Sequence, residues 1–102
     1  MIHGDLDLQA AIDAPAWHST AFPASFAPRG WEPHGLVVES RLGAATLASL
    51  RDRGHAVDDA GPWALGRMCA AGRGDAVPGG GGAGTLHAAV DPRSGVGAAI
   101  AV

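Results

Sequence analysis

The sequence predicts a small α+β fold of two short helices and about four strands. Three observations carry this expectation: apolar residues at helical spacing in two places, short apolar runs bounded by turn residues in three others, and glycine or proline between nearly all of them. In Leu8-Gln9-Ala10-Ala11-Ile12 the residues Leu8, Ala11 and Ile12 share one helical face, Asp7 stands in the N-cap position and Pro15 stops the pattern, which places a helix over about 7–14. From Ala16 to Gly35, Pro23, Pro28, Gly30 and Pro33 break every period while Trp17, Phe22, Phe26 and Trp31 recur, as in a loop whose aromatic residues pack onto something. Leu36–Ser40 reads as a strand and leads into a helix over 44–53, with Leu47 and Leu50 facing one way and Gly54 just past its end. Arg67–Ala71 and Thr85–Val90 read as two further strands. The connection between them holds Pro78 and the glycine tract Gly79–Gly82, and predicts an antiparallel pair.

At 102 residues the chain has room for one domain and one core. That core is thin, because the 47% of hydrophobic residues are largely alanine and only 5% are aromatic. Ordering a chain of this length costs on the order of 100 kcal/mol, whereas each buried Leu, Ile, Val or Phe returns about 1.5–3 kcal/mol. Limited independent stability follows. Ten acidic against seven basic residues give a net charge of −3, every cation is arginine, and no basic block is present, so a nucleic-acid backbone finds no electrostatic footprint. The longest smooth apolar run, Val96–Val102, is far short of the roughly 20 residues that span a bilayer, and the opening residues lack the basic start of an export signal. The compartment is left open.

The residues that could carry chemistry are scattered. Cys69 is the single cysteine, closes no intrachain disulfide, and lies in an apolar strand where a thiol is buried and inert. His3, His18, His34, His55 and His87 form no pair at metal-ligand spacing, so neither a metal nor a cofactor is assigned. Gly79–Gly84 before Thr85 lacks the lysine of a phosphate-binding loop and reads as a hairpin connection. Arg73-Gly74-Asp75 matches an adhesion tripeptide of common residues and is read as chance. Asp5, Asp7, Asp13 and the pair Asp58-Asp59 are capping or surface acids before they are acid–base pairs.

The stretch Asp7-Leu8-Gln9-Ala10-Ala11-Ile12-Asp13-Ala14-Pro15-Ala16-Trp17-His18 resembles a motif of the gamma-glutamyltransferase, or glutathione hydrolase, family. In that family a short helix ends in Ala-Pro-Arg and an aromatic-His pair follows. The later order is similar too: a Phe/Pro loop, Leu36-Val37-Val38-Glu39, a helix ending Arg53-Gly54-His55, then Gly61-Pro62-Trp63, a strand, and Ala89-Val90-Asp91-Pro92-Arg93. The resemblance runs over essentially the whole chain and corresponds to the C-terminal part of the family's small subunit. It implies a piece of an N-terminal nucleophile hydrolase, the outer portion of a four-layer αββα sandwich. In the family a precursor cuts itself and the freed N-terminal Thr attacks the gamma-glutamyl carbonyl, its own amine serving as base. The acyl-enzyme then passes to water or to an acceptor amino acid or peptide.

By the same resemblance the nucleophile, the residues that hold the glutamate, and the Ser-Pro-Gly-Gly oxyanion segment lie upstream of this chain. No catalytic residue is therefore assigned here. Thr20, Thr46 and Thr85 lack the family's processing context, and the substrate-binding residues are left unassigned. Two departures stand out: Ala16 replaces the family's Arg, and Gly79–Gly82 lengthen a connection. The implied partner is the upstream remainder of such a precursor, or a second copy by self-association. The faces carrying Leu8, Ile12, Val37, Leu47, Leu50, Met68 and Leu86 are the ones expected to lose cover, and Asp91-Pro92-Arg93 and the Trp17–Trp31 loop are expected to supply anchoring contacts. The alternative is a non-catalytic remnant or a small binding or assembly module.

Overall fold

The computed structural model describes residues 6–74, 84–93, 95, 97 and 98. Along them run α1 (Leu8–Asp13), β1 (Trp17–Ser19), β2 (Gly35–Val38), a 3-10 turn (Ser40–Leu42), α2 (Ala44–Asp52), β3 (Ala56–Asp59), β4 (Cys69–Arg73) and β5 (Leu86–Val90). The mixed α+β class is as expected. The chain divides into two compact units, one made of Met1–Ala14 with Gly66–Val102 and the other of Pro15–Leu65.

In the first unit, α1 begins where the Asp7 carboxylate accepts the Ala10 N–H at 2.7 Å, satisfying one of the donors that a helix start leaves free. It ends at Ala14, whose extended backbone (φ −54°, ψ 146°) is the conformation favoured before a proline. β4 and β5 pair antiparallel from Cys69 opposite Val90 to Arg73 opposite Leu86, as the sequence predicts, although β4 begins two residues later than the expected strand. Alternation along the strands turns Ala70 and Ala89 inward. There they meet Leu8 and Ile12 of α1, so the small core is one helical face against alanines. The Gln9 side chain joins helix to strand, donating to the Val90 carbonyl at 3.0 Å and accepting the Val90 N–H at 3.3 Å. The outward residues Cys69, Ala71, Leu86 and Ala88 are exposed, as is Met68 just before β4. The expected hairpin connection through Gly79–Gly82 lies outside the described residues.

The second unit is a three-stranded sheet in the order β1-β2-β3, with β1 antiparallel and β3 parallel to β2. Parallel neighbours require a crossover, and α2 supplies it. Gly43 opens that helix with φ +88°, a left-handed conformation suited to glycine, and gives no side-chain cap. Leu47 of α2 and Val38 of β2 are the buried apolar residues of this unit. Gly35 is buried at the start of β2 because an added Cβ would overlap the Thr20 hydroxyl and lie 3.2 Å from the Glu32 Cβ. β1 was expected to be loop; its three residues are all exposed, so no burial period marks it, and it forms by pairing with β2. The aromatic loop also differs from expectation. Phe22, Phe26 and Trp31 are exposed, and the Trp31 indole only fastens the loop to itself by donating to the Ala21 carbonyl at 2.7 Å.

Candidate functional site

The strands distribute the candidate residues rather than gathering them. Asp58 and Asp59 are successive positions of β3 and so point to opposite faces, and Asp59 accepts the Gly61 N–H at 2.9 Å in a turn. Asp7 is the α1 cap and Asp13 accepts from Gln9 at 2.9 Å. Cys69, expected to be buried, is exposed: it occupies the outward register of β4, where no layer covers it among the described residues. Thr20 follows β1, Thr46 is exposed in the first turn of α2, and Thr85 precedes β5, so the three threonines lie on three separate segments. His18 and His34 are exposed, whereas the buried Nε2 of His87 has no hydrogen-bond partner among the described residues. No group of three metal-ligating side chains occurs among the described residues. Among them, too, no helix is long and apolar enough to cross a membrane. His3, Asp5 and Asp75 lie outside the described residues.

What the structure does gather is a buried carboxylate with its arginine in each unit. In the second unit Glu39 is 0% exposed, immediately after β2. Its Oε2 accepts the Ala16 N–H at 3.1 Å and the Arg41 Nη2 at 3.0 Å, and its Oε1 accepts the Leu65 N–H at 3.1 Å. Arg41 also donates to the Pro62 carbonyl at 2.6 Å and lies over the Trp63 ring, 3.3 Å from its centre. In the first unit Asp91 is 2% exposed, immediately after β5. It accepts the N–H groups of Arg93 at 2.9 Å and Met68 at 3.4 Å, while Arg93 Nη1 reaches its Oδ1 at 3.2 Å. Burial pushes the Asp91 pKa up, but the hydrogen bonds from Arg93 and Met68 and the Arg93 charge outweigh it and leave the carboxyl below its ordinary value. Arg93 then donates to the carbonyls of Ile12 at 2.8 Å and Ala14 at 2.7 Å, closing the C-terminal end of α1. Its forked donors are thus used inside the unit rather than as the outward anchor expected of Asp91-Pro92-Arg93. The sequence signal that could have found both pairs is an acid and an arginine two positions apart directly after a strand.

The second unit also encloses open space. An apolar cavity of about 470 Å³ lies between the sheet and α2, with Trp17, Leu36, Leu42 and Leu50 among its walls and Thr46 and His55 at its polar edge. A wider depression of about 660 Å³ lies under the aromatic loop, between Phe22, Trp31, Glu32 and the other face of the sheet at Val37 and Asp58. Neither recess contains a nucleophile hydrogen-bonded to a base among its lining residues.

The gamma-glutamyltranspeptidase family model matches residues 1–101. Two solved structures, described as "Structure of LmbA2991HD" and "Structure of LmbA2991T421A", are each 44% identical to this chain over 100% of its length, with TM-scores of 0.83 and 0.81. This chain spans only 17% and 16% of their respective lengths. No curated protein is similar enough to count as a match. On the match to residues 1–101, the chain belongs to the gamma-glutamyltranspeptidase family.

Proposed function

We propose that this chain is the C-terminal segment of the small subunit of a gamma-glutamyltransferase-like enzyme, and that it serves as a structural part of that enzyme without turnover of its own. The carrying observation is the mismatch of coverage, 100% of this chain against 17% of the solved chain at 44% identity. Its helix-on-sheet units correspond in this reading to an outer portion of an αββα sandwich. The reaction belongs to the rest of the polypeptide. There the hydroxyl of an N-terminal Thr attacks the gamma-glutamyl carbonyl, the terminal amine takes its proton and hands it to the leaving nitrogen, and as the C–N bond breaks the neutral amine departs and an ester-linked acyl-enzyme remains. Water or an acceptor amine then releases the gamma-glutamyl group. Oxyanion donors supply a large part of such a rate enhancement, and in the resemblance they too belong upstream.

The test is release of the aniline from a gamma-glutamyl anilide, measured for the chain alone and for the chain mixed with the remainder of a solved relative as a separate polypeptide. The chain alone is expected to release none above the buffer rate, and the mixture to turn over. Turnover by the chain alone that disappears in Thr20→Ala would overturn the reading. A mixture that associates but stays inert would favour a non-catalytic assembly module.

A further inference from the structure

We propose that the apolar cavity between α2 and the three-stranded sheet seats an apolar side chain from the remainder of a longer gamma-glutamyltranspeptidase-family polypeptide, with a carboxylate of the same segment opposite Arg53. The proposal rests on the reading above, that this chain is one segment of such an enzyme. At about 470 Å³ the cavity falls inside the roughly 300–1,000 Å³ range of recesses that enclose a ligand group. Its wall Trp17 is 62% exposed although it stands in a strand, so a large flat apolar surface is offered at the mouth. Buried aromatic side chains at such positions dominate binding energy once water is excluded. Leu36, Leu42 and Leu50 add area, and beside them only Ser19, Thr46 and His55 of the lining supply polar groups to orient a small molecule. A polypeptide side chain, oriented by its own backbone, does not need them.

A second, more open depression of about 450 Å³ along α2 has Thr46 and Leu50 in common with the first and includes Arg53, just past the helix. The Arg53 side chain is exposed, whereas that of Arg51 is turned to the Val57 carbonyl at 3.4 Å. An apolar recess with a cation in the adjoining depression is complementary to a segment with an apolar residue followed by an acid. The occupant follows from length: a chain that aligns end to end with solved structures and fills 17% of one of them leaves most of that molecule to lie beside it. A second copy of this chain would bring a net charge of −3 against −3, which opposes association.

The experiment titrates the chain with the part of a solved relative that it does not cover, expressed separately, and reads affinity by calorimetry and stoichiometry by sedimentation. Thr46→Glu places a carboxylate at the mouth, and in the first turn of a helix this residue type is well tolerated. Arg53→Glu reverses the charge in the adjoining depression, and Phe26→Ala, on the exposed loop outside the recess, is the control. Circular dichroism identifies any variant that fails to fold. Thr46→Glu is expected to weaken binding by about tenfold or more, Arg53→Glu to weaken it and to remove part of its salt dependence, and Phe26→Ala to leave it unchanged. Wild-type affinity in both charged variants would overturn the proposal while leaving the complementation reading intact. No binding by the wild-type chain would overturn both. Self-association of the chain abolished by Thr46→Glu would identify a second copy as the occupant and would also overturn the proposal.

Discussion

The two units solve the same local problem with the same residues and different degrees of enclosure. In each, a strand ends in a buried carboxylate, and two residues later an arginine returns to it: Glu39 with Arg41 after β2, Asp91 with Arg93 after β5. In each, the pair ties down the backbone where its unit begins and ends, Ala16 and Leu65 in one, Ile12, Ala14 and Met68 in the other. The enclosure differs: the Arg93 side chain is 2% exposed, whereas that of Arg41 is 23% exposed and shares its cation with the Trp63 face. With cores built largely from Leu8, Ile12 and Ala89 on one side and Val38 and Leu47 on the other, the polar clamps take up closure that apolar area does not provide. Breaking the two clamps separately therefore measures how much enclosure matters.

The largest effect is expected from Arg93→Ala. It leaves the Asp91 carboxylate buried without its cation and two α1 carbonyls without their donor, a loss of about 3–5 kcal/mol for a buried pair broken on one side. Against a native stability of about 5–15 kcal/mol this is a large fraction, so its thermal transition should fall steeply and lose cooperativity. Arg41→Ala leaves Glu39 with two backbone donors and gives up a partly wet contact. About 1–2 kcal/mol follows, read as a lowered but cooperative transition. Equal effects of the two substitutions would show that exposure of the arginine does not set the strength of the clamp.

A smaller contrast lies at two glycines. Gly66 has φ +120°, and an added Cβ would stand 2.6 Å from Asp91 Oδ2, so Gly66→Ala combines a strained backbone with displacement of the clamped carboxylate. Gly43 has φ +88° with nothing near its Cβ, so Gly43→Ala meets backbone strain alone. Strain of this kind costs about 1–3 kcal/mol, with Gly43→Ala expected at the low end and Gly66→Ala above it. Urea denaturation of both variants checks the order. A reversal would mean that Asp91 can move aside freely, and the tight register of the first clamp would be in doubt.

How far the sequence revealed this molecule depended on whether a signal was periodic or positional. The α1 boundaries were legible because Asp7, the Leu8/Ile12 spacing and Pro15 are three local signals that agree. β4 and β5 were legible as a pair, though Arg67 and Met68 belong to the lead-in and not to the strand. β1 was not legible, since its residues are exposed and its strand character comes from β2. Cys69 was misread because an apolar stretch such as Met68–Ala71 implies burial only when both faces of a strand are covered, and here alternation leaves Cys69 outward. The clamps were half legible: Glu39 and Asp91-Pro92-Arg93 stood in the family resemblance, but their inward role depends on backbone groups far along the chain. The cavity beside Trp17 was not legible at all, because it is made of space between α2 and the sheet.

The smallest expected effect, and the one that most sharply separates the clamps, is the response to acid. The Asp91 carboxyl is held below its ordinary value of 3.8 by Arg93 and Met68 against the opposing effect of burial. A carboxyl with a depressed folded-state pKa adds stability that is complete above the unfolded value and is lost as pH falls through the lower folded value. The first unit should therefore loosen below pH 3.8. Asp91→Asn removes this titration and keeps one acceptor oxygen, enough for Arg93 at the Oδ1 position but leaving the Met68 N–H opposite an amide NH2, so the variant should be less stable than wild type near neutrality but show a flatter decline on acidification. Amide exchange at Ala11, Ala14, Ala89 and Val90, compared above and below that pH, reads the first unit directly. Parallel acid profiles for wild type and Asp91→Asn would mean that other carboxylates govern the decline and that Asp91 contributes by geometry alone.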